Sequence, residues 1–96
     1  MGVNYHPLVR GDVLEILRYY HEISPKLADD FNTELRSLIE RAGENPLRFH
    51  PTHRGFRRAN LKRFPYHFLY EVHPESIRVM IVRHNKRHPQ FGLERV

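Results

Sequence analysis

The side chains best suited to chemistry in this sequence are arginines, lysines and histidines of its second half, such as Arg54 and His84. Arginine binds phosphate through two parallel hydrogen bonds, and histidine can move a proton near neutral pH. Neighbouring antiparallel strands lie about 4.8 Å apart, so basic groups on two of them can converge on one anion. We therefore predict a phosphate- or target-binding set comprising Arg57, Arg58, Lys62, Arg63, Arg83, Lys86 and Arg87.

The charge distribution favours an acidic partner for this half. Residues 1–46 carry five Lys or Arg against eight Asp or Glu, a net charge of −3, whereas residues 47–96 carry eleven against three, a net charge of +8. Such segregation is typical of a surface that meets a phosphate backbone or an acidic protein segment. The alternative is a basic surface that only maintains solubility, in which Arg57, Lys62 and Arg63 are solvated charges at a strand edge.

Other common chemistries have little support. His50 and His53, like His84 and His88, have the spacing of helical metal ligands but lie in predicted turns, so no metal is expected. The absence of cysteine excludes disulfides, thiolate zinc sites and cysteine nucleophiles. No glycine-rich phosphate loop or GxSxG motif is present, so no cofactor is expected. No apolar run approaches the length of a membrane span, which predicts a cytoplasmic protein without membrane contact.

The first half of the chain has the period of helices. Val9, Val13, Ile16 and Tyr20 form one apolar stripe of a first helix. Ser24-Pro25 is typical of a helix start, and a second stripe then runs through residues 27–42. Gly43 is expected to end this helix in the left-handed conformation. So short a link predicts an antiparallel helical hairpin.

The second half has the period of strands. Segments 56–63, 67–73 and 77–82 are predicted strands, and a short strand at 3–5 is compatible with the sequence. Segment 77–82 is apolar on both faces, which predicts a position inside the sheet. From Asn85 onward the pattern fades into a basic tail. The prediction is a single α+β domain over residues 1–96, with the N-terminal hairpin packed on one face of a small, mainly antiparallel twisted sheet of three to four strands.

A hairpin on one face leaves the other face of the sheet exposed. That face is expected to carry some of Phe56, Arg58, His67, Leu69, Met80 and Val82, although a one-residue change of register would exchange the set. A surface that mixes basic and apolar groups is a candidate binding face.

Several short motifs occur in an order that resembles the RelE/ParE superfamily. They are DVLEI at 12–16, YY at 19–20, SP at 24–25, LA at 27–28, Phe31, NP at 45–46, RR at 57–58, LKRFPY at 61–66, Tyr70 and VRHNKRHP at 82–89. The superfamily comprises toxins of type II toxin-antitoxin, or plasmid stabilisation, systems. The resemblance implies a growth-inhibiting bacterial toxin held in a hetero-oligomer by a cognate antitoxin, whose acidic or disordered segment would suit the basic half of this chain.

The resemblance also implies two alternative targets. RelE-like members cleave messenger RNA on the ribosome, and in that case Arg58, His67, His84 and Arg87 would be the catalytic residues. ParE-like members poison DNA gyrase by binding. Asn60 and His67 stand where further basic groups would be expected. The tail offers Phe91 and Leu93 where a tyrosine would be expected, which leaves His84 or His88 as the nearby proton carriers. The gyrase binder is therefore preferred, with the endoribonuclease as the alternative and a non-toxic nucleic-acid-binding domain as the second alternative.

Overall fold

The computed structural model describes residues 2–96 of this chain. Its elements are β1 (Gly2–Tyr5), α1 (Val9–Ile23), α2 (Pro25–Glu44), β2 (His50–Pro51), β3 (Arg57–Asn60), β4 (Tyr66–Val72) and β5 (Ser76–His84). The strands form one sheet in the order β1-β5-β4-β3-β2, in which β1 is parallel to β5 and the other pairs are antiparallel. The predicted α+β class, helical hairpin and mainly antiparallel sheet are confirmed. Within residues 2–96 the strands number five rather than three to four, because two-residue β2 forms inside a segment predicted as a turn.

A single residue, Ser24, connects the two helices of the hairpin. Ser24 has an extended backbone, ends α1 and precedes α2, whose first residue is Pro25. Proline suits this position because an N–H in the first turn of a helix has no acceptor within the helix, so its absence costs no hydrogen bond. The predicted left-handed end at Gly43 is wrong, since α2 continues through Gly43 to Glu44. Pro46 disfavours helical backbone at Asn45, and that restriction ends the helix.

An aromatic cluster joins the hairpin to the sheet. Phe31 of α2 is fully buried, and its ring centroid lies 5.8 Å from that of Tyr20, 5.4 Å from Phe64 and 5.4 Å from Tyr66. Leu35 and Leu38 of α2 extend the same core. These contacts fix the hairpin over the β4 side of the sheet.

A β-bulge changes which residues of β5 face the helices. Leu69 pairs with Ile81 and Tyr70 with Val79, so Met80 is an extra residue in β5. Met80 and Ile81 therefore both face away from the helices, and Val82 turns to the helix side. The expectation that Val82 shares a face with Met80 is wrong for this reason.

The sheet face opposite the helices is covered by the end of the chain. Phe91 and Leu93 pack on an apolar cluster formed by Phe56, Leu69, Met80 and Ile81. Gly92 has a φ of 86° and lies so close to Ile81 that a β-carbon would collide with it. The expected exposed apolar face is therefore wrong over this region. Covering the cluster removes apolar surface from water, which favours folding the tail back over it.

No helix within residues 2–96 combines the length and apolarity needed to cross a bilayer.

Candidate functional site

A row of hydrogen-bonded polar side chains crosses the sheet where β4 begins and β5 ends. Arg83 Nε donates to His67 Nε2 at 2.9 Å, and His67 Nδ1 lies 2.8 Å from Asn85 Oδ1. Because a guanidinium can only donate, His67 Nε2 must accept, so the proton of the neutral ring is on Nδ1 and is donated to Asn85. Both His67 and Arg83 are buried, at 1% and 8% exposure.

Burial sets the protonation state of His67. It lowers the pKa of His67 to about 4; the hydrogen bond that His67 donates to Asn85 acts in the opposite direction, and the positive charges of Arg58 and Arg83 lower the pKa further. At pH 7 the ring is therefore neutral, and both of its nitrogens are engaged within the protein.

Arg83 holds the tail on the sheet. Its Nη1 donates to the carbonyl oxygens of Pro89 at 3.0 Å and Phe91 at 2.6 Å. Burial, followed by the charge of Arg58, lowers the pKa of Arg83. Two of its three nitrogens thus bind groups of this chain, so Arg83 acts mainly by positioning the tail.

An ion pair joins the tail to α1. Arg95 binds the Asp12 carboxylate through two hydrogen bonds of 2.7 and 2.9 Å, and the side chains are 8% and 11% exposed. Asp12 Oδ2 also accepts from the Val82 N–H at 3.1 Å, and Arg95 Nη1 donates to the Met80 carbonyl at 3.0 Å. The pairing of β1 with β5 ends at Val79. Asp12 and Arg95 therefore form hydrogen bonds with backbone groups of β5 that lie beyond its last pair with β1. No local sequence signal indicates this pair, because its two residues lie 83 positions apart.

A groove of about 240 Å³ lies between α1 and the end of β5, lined in part by Glu15, Tyr19, Tyr66, His84 and Arg87. The His84 ring lies 5.0 Å from that of Tyr66, and burial raises the pKa of Tyr66 to about 12. Arg87 lies 3.9 Å above the ring of Phe91. The groove therefore places a carboxylate, an imidazole and a guanidinium around one depression, and nothing in the sequence pattern had indicated Glu15 or Tyr66 as its partners.

His84, the last residue of β5, and His88 are each hydrogen-bonded to the backbone N–H two residues further along the chain. His84 Nδ1 accepts from the Lys86 N–H at 3.0 Å, and His88 Nδ1 accepts from the Gln90 N–H at 3.1 Å. Each ring therefore carries its proton on Nε2 while these bonds exist.

The structure separates the residues of the predicted anion-binding set. Arg57 shares a face of β3 with buried Ala59 and donates to the Phe49 carbonyl at 2.7 Å. Lys62 and Arg63 lie between β3 and β4, where their backbone N–H groups donate to Glu34 at 2.6 and 3.2 Å. The Arg63 side chain also forms an exposed ion pair with Asp30 at 3.3 Å. These three residues hold a loop and a turn in place and do not converge on one anion.

Three of the predicted cations, Arg58, Lys86 and Arg87, form no ion pair within residues 2–96 and lie at one end of the sheet; they are here called the sheet-end cations. Arg58 is half-buried and donates to the neighbouring Asn60 Oδ1 at 2.9 Å. Lys86 and Arg87 are exposed in the turn after β5. The buried His67 and Arg83 lie near Arg58, since its charge lowers the pKa of both.

No three His, Asp or Glu side chains converge to hold a metal ion within residues 2–96.

Comparison with known proteins identifies the family. A family model described as the ParE toxin of the type II toxin-antitoxin system, parDE, matches residues 3–89. The chain belongs to the ParE toxin family. This confirms the RelE/ParE resemblance and makes the protein the toxin of a type II toxin-antitoxin system, whose partner is an antitoxin.

The fold of this ParE toxin is similar to that of a solved structure, the chromosomal ParDE TA system from P. aeruginosa. The TM-score is 0.77, with 18% identity over 88% of this chain and 95% of that chain. No curated protein matches the sequence.

Proposed function

We propose that this ParE toxin inhibits DNA gyrase by binding to it, without cleaving RNA. The observation that carries the proposal is that His67, one of the histidines suggested as catalytic, is buried and has both ring nitrogens hydrogen-bonded within the protein. Membership of the ParE family supports the same choice of target.

RNA cleavage through the 2′-hydroxyl requires groups that accept and release protons. His67 is neutral at pH 7 and buried, with both ring nitrogens hydrogen-bonded. His84 and His88 each use Nδ1 to accept a backbone N–H, which leaves Nε2 as a donor. Arg58 and Arg87 stabilise negative charge, but arginine stays protonated and transfers no proton.

In this proposal the sheet-end cations contact acidic groups of the gyrase target. Arg58, Lys86 and Arg87 are at least partly exposed and form no ion pair within residues 2–96. Arg57 also forms no ion pair, but its guanidinium is bound to the Phe49 carbonyl, and Lys62 lies in the turn whose backbone is bound to Glu34. Arg57, Lys62, Arg63 and Arg83 act indirectly, because they hold the loop, the turn and the tail in place. The cognate antitoxin would neutralise the toxin by covering the same cations with an acidic segment that is disordered when free, as complementary charge favours association.

The test is inhibition of supercoiling by purified gyrase with relaxed plasmid and ATP. The wild-type toxin should inhibit, and R58A/R87A should require at least about tenfold more protein, since each lost contact to a charged group is worth about 1.5 kcal/mol or more. The matched control is R18A/R36A, which removes two exposed charges from the hairpin. Absence of inhibition by saturating wild-type protein, or equal losses in the two variants, would contradict the proposal.

A second candidate, the ribosome-dependent endoribonuclease, is favoured by one observation: the groove that brings Glu15, His84 and Arg87 together. If messenger RNA is the target, the wild-type protein should cleave it in a translation reaction. R87A should then abolish cleavage, because it removes charge stabilisation of the transition state. Equal cleavage by wild type and R87A would exclude this role for Arg87.

A further inference from the structure

We propose that the loop around β2, at the opposite edge of the sheet from β1, binds the phosphate backbone of a nucleic acid. The residues are Arg48, His50, His53 and Arg54, here called the edge cluster. They are distinct from the sheet-end cations, and the proposal does not depend on gyrase being the target.

The first support is the absence of negative charge along this part of the chain. Residues 45–70 contain six Lys or Arg and three His, but neither Asp nor Glu, between Glu44 and Glu71. Glu71 pairs across the sheet with Arg78 and is hydrogen-bonded to His73 at 3.2 Å. All four residues of the edge cluster are exposed and fall within seven consecutive positions. The segment that carries the edge cluster therefore has positive side chains and no carboxylate of its own, which favours approach of a phosphate.

The second support is that the loop is anchored to the folded protein. Arg57 donates to the Phe49 carbonyl at 2.7 Å, and the Tyr70 hydroxyl donates to the Pro46 carbonyl at 2.5 Å. The Thr52 N–H donates to the Phe56 carbonyl at 2.6 Å, and Phe56 is itself buried. Binding would therefore order the side chains of the edge cluster but not its backbone, which lowers the entropy lost on binding.

The third support is the backbone conformation of Arg54. Its φ of 61° lies in the left-handed region, where Gly55 follows with a φ of 77°. A residue with a β-carbon is strained there, and such strain tends to persist where a side chain is used. Glycine would adopt this backbone conformation at position 54 without strain, yet the residue there is an exposed arginine.

The edge itself favours phosphate over an acidic peptide. A peptide strand adds to a sheet by bonding the backbone of an edge strand. Here the edge strand has two residues, and one of them, Pro51, has no N–H to donate. Recognition at this edge must use side chains, and guanidinium groups pair with phosphate oxygens in a bidentate manner.

The experiment measures binding of the full chain to a fluorescent 20-base-pair DNA duplex and to a single-stranded RNA of equal length, from 50 to 200 mM salt. Each phosphate contact contributes about 0.9 to the slope of log K against log salt for duplex DNA and about 0.7 for single strands. R48A/R54A should weaken binding at least about tenfold at 100 mM salt and reduce the duplex slope by about 1.8. R18A/R36A has the same net charge and should change affinity less than about twofold. The polymer bound more tightly identifies the source of the phosphates.

R54G separates binding from folding. Because glycine relieves the left-handed strain, the Tm should be preserved or raised while nucleic-acid affinity falls. Equal losses in R48A/R54A and R18A/R36A, no binding at 50 mM salt, or equal competition by polyglutamate of matched charge would overturn the proposal. Gyrase is absent from these reactions, so their failure is distinguishable from failure of the gyrase proposal.

Discussion

The two faces of the sheet are covered by different means. The helical hairpin covers one face with a continuous apolar core that includes Phe31, Leu35 and Leu38 of α2. The tail covers part of the other face with Phe91 and Leu93, and charged side chains fasten it: Arg83 to the tail carbonyls and Arg95 to Asp12. Apolar burial is insensitive to pH, whereas hydrogen bonds of titratable groups are not. The helix face should therefore supply most of the stability, and the tail face most of its dependence on pH.

Truncating one buried side chain on each face tests this difference. Phe31→Ala should lower the free energy of unfolding by about 3–5 kcal/mol, because it removes the centre of the aromatic cluster. Leu93→Ala, on the tail face, should cost about 2 kcal/mol, at the low end for a buried leucine, because a short tail can readjust. Urea unfolding measures both. Leu47→Ala is the control, since Leu47 is 67% exposed and should change stability by less than about 0.5 kcal/mol. Equal costs for Phe31→Ala and Leu93→Ala would remove the distinction.

His67 should make the tail face sensitive to acid. Its pKa is about 4 when folded and 6.5 ordinarily, so below pH 6.5 the unfolded chain takes up a proton that the folded chain refuses. The stability from neutral His67 is fully present above pH 6.5 and is lost as pH falls toward 4. At about 1.36 kcal/mol per pKa unit, the loss between pH 7 and 4.5 is about 2–3 kcal/mol.

His67→Gln provides the control for this titration. Glutamine can accept from Arg83 and donate to Asn85 but does not titrate. Urea unfolding of both proteins at pH 7 and 4.5 isolates the contribution of His67. The same pH dependence in wild type and His67→Gln would show that other groups cause it.

Asp12→Ala should release the end of the tail. Removing one partner of a buried ion pair usually costs about 3–5 kcal/mol, but Arg95 keeps its hydrogen bond to the Met80 carbonyl, so about 2 kcal/mol is expected. The Val82 N–H, which donates a hydrogen bond to Asp12, should exchange its hydrogen with solvent faster in the variant. D12A/R95A should recover part of the loss, because it leaves no uncompensated charge.

Asp30→Ala is the matched control for Asp12→Ala. Asp30 pairs with Lys26 and Arg63 through exposed side chains, so the loss should be much smaller. Comparable losses for the two aspartates would show that the Asp12–Arg95 pair is no stronger than a surface ion pair.

Local sequence patterns predicted the helices and the sheet class, because the period of apolar residues reflects which side of each element is buried. The same patterns failed at Val82, where an inserted bulge residue reverses the alternation, and at Gly43, where the helix continues to Glu44. The two-residue β2 was missed because its residues are common in turns, and the pairing of His50 with Arg58 exists only through the sheet.

The candidate site was less predictable than the fold. The sequence identified the basic residues but not their division among faces and turns. Arg83 was expected at a binding surface, and the structure places it beneath the tail, hydrogen-bonded to His67, Pro89 and Phe91. The sites proposed here therefore rest on half-buried Arg58, exposed Lys86 and exposed Arg87 and, separately, on the edge cluster.

The sequence by itself determined the family, the helical hairpin, the strand-rich second half and the separation of charge between the two halves. These features depend on residue order and on contacts between near neighbours. Only the tertiary structure decided which cations reach solvent, that His67 is neutral, and that the tail covers the second face of the sheet. Each of these depends on contacts between residues distant in the chain, and burial and charge act through space.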